Sequence, residues 1–181
     1  MHFLYFVTFD KKNADNSQEA REYANNILMK NSFCYADGGY FAGGKCDWYV
    51  IGGRWSGELQ RLQFKKDFFK ECKKAKIKTD SQTLKKNKSQ CQAIWKKLGG
   101  KDVNLYHRDT YQQNGYDDDA MIVDEELWQG IKKCFKQKLN KDTFWNEVEI
   151  YDADNYEDYP ITKIKKKDLI NRWLVVVDYH N

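Results

Sequence analysis

Proline is almost missing from this sequence: Pro160 is the only one in 181 residues. Its scarcity excludes Pro-rich linkers and polyproline docking segments. Long apolar runs are missing too, and none approaches the roughly 20 residues that a membrane-spanning helix needs. The opening segment, Met1 to Phe9, is apolar but has neither the basic start nor the small-residue cleavage site of a secretory signal. A soluble, cytoplasmic protein is expected, with no membrane partner. Cys34, Cys46, Cys72, Cys91 and Cys134 make an odd set without a CxxC pair or a regular spacing. That pattern favours reduced thiols over a disulfide framework. Cys34 and Cys46 stand twelve apart with no histidine nearby, so no metal site is expected, and nothing in the sequence calls for a cofactor.

What is present is enough to fold. Apolar residues make up 41% and aromatic residues 15%, too rich in core-formers for a disordered chain and sufficient for one domain over residues 1–181. Lysine far outnumbers arginine, as in proteins of AT-rich genomes. The net charge is only +4, yet residues 61–101 hold fourteen Lys or Arg against three acids, and residues 102–160 hold fifteen acids against six bases. Such asymmetry points to an electrostatic partner: a phosphate backbone for the basic part, or a cationic groove for the acidic part. The alternative is a solvated lysine face that keeps the protein in solution.

The pattern along the chain predicts an α+β fold. Phe3–Phe9 and Trp173–Asp178 are continuous apolar runs rich in β-branched and aromatic residues, the signature of strands buried on both faces, and they are expected as central neighbours. Ala20, Tyr23, Ala24, Ile27 and Leu28 have helical spacing over 17–30, with Ser17 as the expected N-cap. Trp48–Ile51 reads as a strand, and Trp55–Leu59 as a return strand after a glycine turn. Residues 59–101 read as a basic helical insertion in two helices, one marked by Leu62, Phe68, Phe69 and Cys72, the other by Leu84, Cys91, Ile94, Trp95 and Leu98. A brief strand at 120–123, a helix capped by Asp124 and a strand at 148–151 before an acidic loop complete the reading. The expected architecture is an antiparallel or mixed sheet covered by helices.

The segment Asp47-Trp-Tyr-Val-Ile-Gly-Gly-Arg-Trp-Ser-Gly57 carries the most information. Gly52 and Gly53 permit a tight bend from which Arg54 projects among Trp48, Tyr49 and Trp55. A guanidinium so placed can fork onto phosphate or carboxylate and stack on an aromatic face. The alternative is an internal ion pair of Arg54 with Asp47 or Asp178. This segment, with the closing run Trp173-Leu-Val-Val-Val-Asp-Tyr-His180, resembles a family of small proteins carried by phages and mobile elements. The resemblance implies an accessory protein that acts inside a bacterial cell.

Three shorter patterns fit known chemistry only in part. Gly39-Tyr-Phe-Ala-Gly-Gly-Lys45 matches a phosphate-binding loop until Cys46 replaces the Mg²⁺-binding hydroxyl. His107-Arg-Asp109 with Asn114 matches a kinase catalytic loop, without the other kinase motifs. Asp152-Ala-Asp154-Asn155 opens like a calcium loop but lacks its central glycine, and reads as a solvated acidic loop. For catalysis, Asp178 and His180 lie two apart on one strand face, where the carboxylate could orient the imidazole, with Cys34 or Cys46 as nucleophile.

Two functions follow as expectations. The first is a binding protein that docks on a nucleic acid or host nucleoprotein through Trp48, Tyr49, Arg54 and Trp55 and through Lys73, Lys74, Lys85 and Lys86. An anti-CRISPR inhibitor is its most concrete form. The second is a small nucleotide- or nucleic-acid-modifying enzyme that uses Arg54, Asp178 and His180.

Overall fold

A computed structural model describes residues 2–31, 33–34, 46–78, 86–98, 117–135 and 148–181. Six strands form one mixed sheet: β1 (His2–Asp10), β2 (Trp48–Ile51), β3 (Ala120–Ile122), β4 (Glu149–Asp152), β5 (Glu157–Pro160) and β6 (Arg172–His180). Their order is β2-β6-β1-β4-β5, with β3 also paired to β6. The pair β1 and β4 is parallel, and every other pair is antiparallel. As their unbroken apolar runs require, β1 and β6 lie side by side at the centre, in register from His2 opposite His180 to Asp10 opposite Arg172.

Alternation along these strands divides the core in two. On one face Leu4, Phe6, Leu174 and Val176 meet Leu59 and Leu62 of helix α2 (Glu58–Lys74) and Leu127 and Ile131 of helix α4 (Glu125–Phe135). On the other face Tyr5, Val7, Val175 and Val177 meet Ala20, Ala24 and Leu28 of helix α1 (Ser17–Lys30). The sheet is therefore covered by helices on both sides, and the fold is α+β. Full burial of each large side chain, such as Phe6 or Leu62, contributes roughly 1.5–3 kcal/mol.

Helix boundaries follow local chemistry. Helix α1 is capped by Asn16, whose side chain accepts the Glu19 N–H at 3.0 Å, so the cap lies one residue before the expected Ser17. Asp124 caps α4 as expected, accepting the Leu127 N–H at 2.8 Å. Helix α2 packs closely on α4 at Gly130, where an added Cβ would lie 1.9 Å from the Leu62 carbonyl oxygen. Farther along, Phe68, Cys72 and Ile77 pack with Cys91 and Ile94 of helix α3 (Lys88–Lys97), forming a small satellite core. The first turns of the basic helical segment thus belong to the main core. Leu84 lies outside the described residues, as do the side chains of Phe69, Trp95, Phe135 and Cys134.

Three further expectations need correction. Residues 55–59 form no return strand: a 3-10 turn over Gly53–Trp55 leads directly into α2, because Leu59 and Leu62 share a helical face that reaches the core. The acidic segment after β4 is exposed from Asp154 to Asp158, as expected, but it forms the turn and second strand of the β4–β5 hairpin and not a loop. Arg172 clasps it, with Nη1 and Nη2 donating to the two oxygens of Asp152 at 2.9 and 2.6 Å and Nη2 also to Asp154 at 2.7 Å. Pro160 is tolerated there because β5 is an edge strand. Finally, Cys34 and Cys46 are joined in a disulfide. Irregular spacing hid that pair, since the exit of α1 and the entry of β2 meet only in three dimensions, as an isolated parallel bridge. Cys72 and Cys91 are free and buried.

Candidate functional site

The Gly-Gly-Arg-Trp bend wraps around two carboxylates that are fully buried, Asp119 and Asp178. Asp178 Oδ2 accepts the Arg54 N–H at 2.8 Å. Asp119 accepts the Ser56 hydroxyl at 2.6 Å and the Gly57 N–H at 3.0 Å. Both glycines are fixed by this arrangement. Gly52 and Gly53 have φ of 76° and 55°, and an added Cβ would lie 2.1 Å from Asp119 Oδ2 or 2.5 Å from Asp178 Oδ2. The sequence marked the bend but not its anchors, because Asp119 looks like part of a solvated Asp run.

Asp178 and His180 share a strand face, as their spacing requires, but each has a different partner. Asp178 Oδ1 lies 2.9 Å from His2 Nδ1, and His180 Nδ1 lies 3.0 Å from both oxygens of Asp47. Because His2 is directly opposite His180, which is opposite Trp48 on β2, the three rings form one cluster. The His2 ring stands edge-on to Trp48 and to His180, with centroids 5.2 Å away in each case, and Trp48 lies parallel to His180 at 5.6 Å. His2 escaped sequence reasoning. The apolar register of the first and last strands was the one signal that could have placed it opposite His180.

The two carboxylates experience opposite environments. Burial pushes the Asp178 carboxyl above the usual carboxylate range, against the pull of the Arg54 N–H and of His2. Desolvation acts upward on Asp47 as well, but the His180 hydrogen bond and charge, together with backbone N–H donors, outweigh it and hold it below its usual value. The Arg54 side chain is exposed and its positive charge reaches Asp178. Tyr49 points to the opposite face of β2, where its hydroxyl lies 2.9 Å from the Asn25 side-chain oxygen. Trp55 packs against the core. Of the four residues expected to cluster, Trp48 contacts both histidine rings, Arg54 shares Asp178 with His2 through its backbone, and Tyr49 and Trp55 serve the scaffold.

The expected lysines lie elsewhere. Lys73 and Lys74 close α2, and Lys86 precedes α3; all three are exposed. Lys70, Lys76, Lys78, Lys88, Lys96 and Lys97 are exposed on the same two-helix lobe. Glu71 pairs with Lys74. Lys85 lies outside the described residues, as do residues 39–45 and 107–114 with their partial motifs. A disulfide-bonded Cys34 or Cys46 has no thiolate, which removes both as nucleophiles. No cluster of three or more potential metal ligands occurs among the described residues, nor does a helix long and apolar enough to cross a membrane. Comparison with protein-family models, curated proteins and solved structures finds no match to this chain.

Proposed function

We propose that this protein is an accessory protein that docks on a nucleic acid or nucleoprotein through the lysine lobe of α2 and α3. The observation that carries this reading is the different fate of the two charged regions. Among the described residues, several acids of the acidic region have internal partners: Asp119 anchors the bend, Asp124 caps α4, Asp152 and Asp154 hold Arg172, and Asp158 accepts the Tyr5 hydroxyl. The lysines instead stand exposed on a lobe whose small core fixes their spacing. Phosphates are the natural complement of such a face, so the basic surface is favoured over an acidic mimic. The resemblance to phage and mobile-element proteins supports an anti-defence setting, with inhibition of a CRISPR-type effector as its most concrete form.

Fluorescence anisotropy with duplex and single-stranded nucleic acid across a salt series tests the reading. Joint replacement of Lys73, Lys74 and Lys86 by Ala should weaken binding and flatten the salt dependence by up to about one unit of log–log slope per lysine. Salt-independent affinity, unchanged in the triple variant, rules the surface out.

A further inference from the structure

Two imidazoles, each oriented through Nδ1 by its own carboxylate and standing edge to face, are more than the sheet requires. Imidazole both takes and gives a proton near neutral pH, and a carboxylate at Nδ1 commits the chemistry to Nε2. A partly exposed Trp48 contacts both rings, and the exposed Arg54 is held at its backbone by the same Asp178 that orients His2, close enough for its charge to act on that carboxyl. The set therefore contains two proton-transfer groups, a guanidinium and an aromatic platform.

We infer that His2 and His180 form an acid–base pair that cleaves single-stranded RNA by transesterification. The substrate class follows from the chemistry of the set. With a base, an acid and a phosphate-binding cation, the reaction that needs no nucleophile from the protein is attack of a ribose 2′-oxygen on its own 3′-phosphate. One imidazole takes the 2′-OH proton at Nε2 while the 2′-oxygen forms its bond to phosphorus. The P–O5′ bond breaks, and the other imidazole, protonated, delivers its Nε2 proton to the departing oxygen. The products are a 2′,3′-cyclic phosphate and a 5′-hydroxyl, and no other reactant is consumed. Arg54 binds the phosphate oxygens, and Trp48 stacks a base of the unpaired strand. Asp178 and Asp47 are positioning residues.

This inference rests on the preceding reading only in taking nucleic acid as the ligand, and its test separates the two. The intact, disulfide-bonded protein is mixed in excess with a labelled DNA strand carrying a single ribonucleotide, and with its all-DNA counterpart; binding and cleavage are followed together. Cleavage should occur only at the ribonucleotide and leave a cyclic phosphate, identified by mass. His2→Gln and His180→Gln should each slow it by at least about 100-fold while binding is retained. His180 is the more exposed ring, with 34% of its side chain accessible against 14% for His2, so His180→Gln decides alone should His2→Gln unfold. Binding without cleavage, or cleavage retained by a folded His180→Gln protein, overturns the acid–base pair and leaves the docking surface standing. Absence of both binding and cleavage overturns both.

Discussion

The Asp178 carboxylate accepts the backbone N–H of Arg54 at 2.8 Å, while the Arg54 side chain stands exposed to solvent. Two roles are thus divided within one residue: the main chain fixes the bend, and the side chain lies at the surface. Asp178→Ala strands the Arg54 N–H and the His2 Nδ1 in a buried setting and should destabilise by about 2 kcal/mol or more. Asp178→Asn keeps an oxygen acceptor and removes a carboxyl that burial disfavours in its charged form, so its loss should be smaller. Chemical denaturation of both variants gives the comparison.

Arg54→Ala, by the same division, should change stability by less than about 1 kcal/mol, as expected of an exposed charge. If the guanidinium grips phosphate, Arg54→Ala and Arg54→Lys should both lose nucleic-acid affinity at an unaltered melting temperature. A lowered melting temperature in Arg54→Ala would instead assign the side chain to the scaffold.

Gly130→Ala should destabilise even though alanine is the better helix former by about 1 kcal/mol. The new Cβ would lie 1.9 Å from the backbone carbonyl oxygen of Leu62, which cannot rotate away as a side chain could, so α2 and α4 must separate. Thermal unfolding should show a fall of several degrees.

Arg172→Met should cost about 3 kcal/mol or more at neutral pH, because Asp152, only 2% exposed, would keep its charge without the guanidinium that balances it. Burial acts to raise the Asp152 carboxyl, but the Arg172 and Asn155 hydrogen bonds and the guanidinium charge hold it below its usual 3.8. A lowered folded-state value means that this carboxylate stabilises the protein above about pH 3.8 and ceases to do so as pH falls through the folded value. The difference between wild type and Arg172→Met should therefore shrink in acid. Denaturation curves at neutral pH and near pH 3 check the trend; a pH-independent difference would place the loss in packing alone.

Much of the sheet was legible because its signals are local. Phe3–Phe9 and Trp173–Asp178 declare buried strands through unbroken apolar content, and Asp124 announces α4 through cap chemistry. The partnerships of charged groups were not local. Asp178 is two residues from His180 yet pairs with His2 across 176 positions, and Arg172 reaches back 20 positions to turn an apparent loop into a clasped hairpin. The disulfide failed for the same reason, since cysteine count reports redox habit and not proximity. The glycine bend was visible as a motif, but its cause, two aspartates filling the space beside glycine α-carbons, lies in β6 and in the turn before β3.

The central place of β1 and β6 also orders events in time. Strand β1 finds its antiparallel neighbour only when β6 has emerged, and closing that pair joins His2 to His180, 178 positions away. Local helices can form during synthesis, but neither half of the core has its middle until β6 pairs with β1. Folding should therefore be slow, because the central pair closes a long loop, with β1 an exposed apolar edge that awaits its mate.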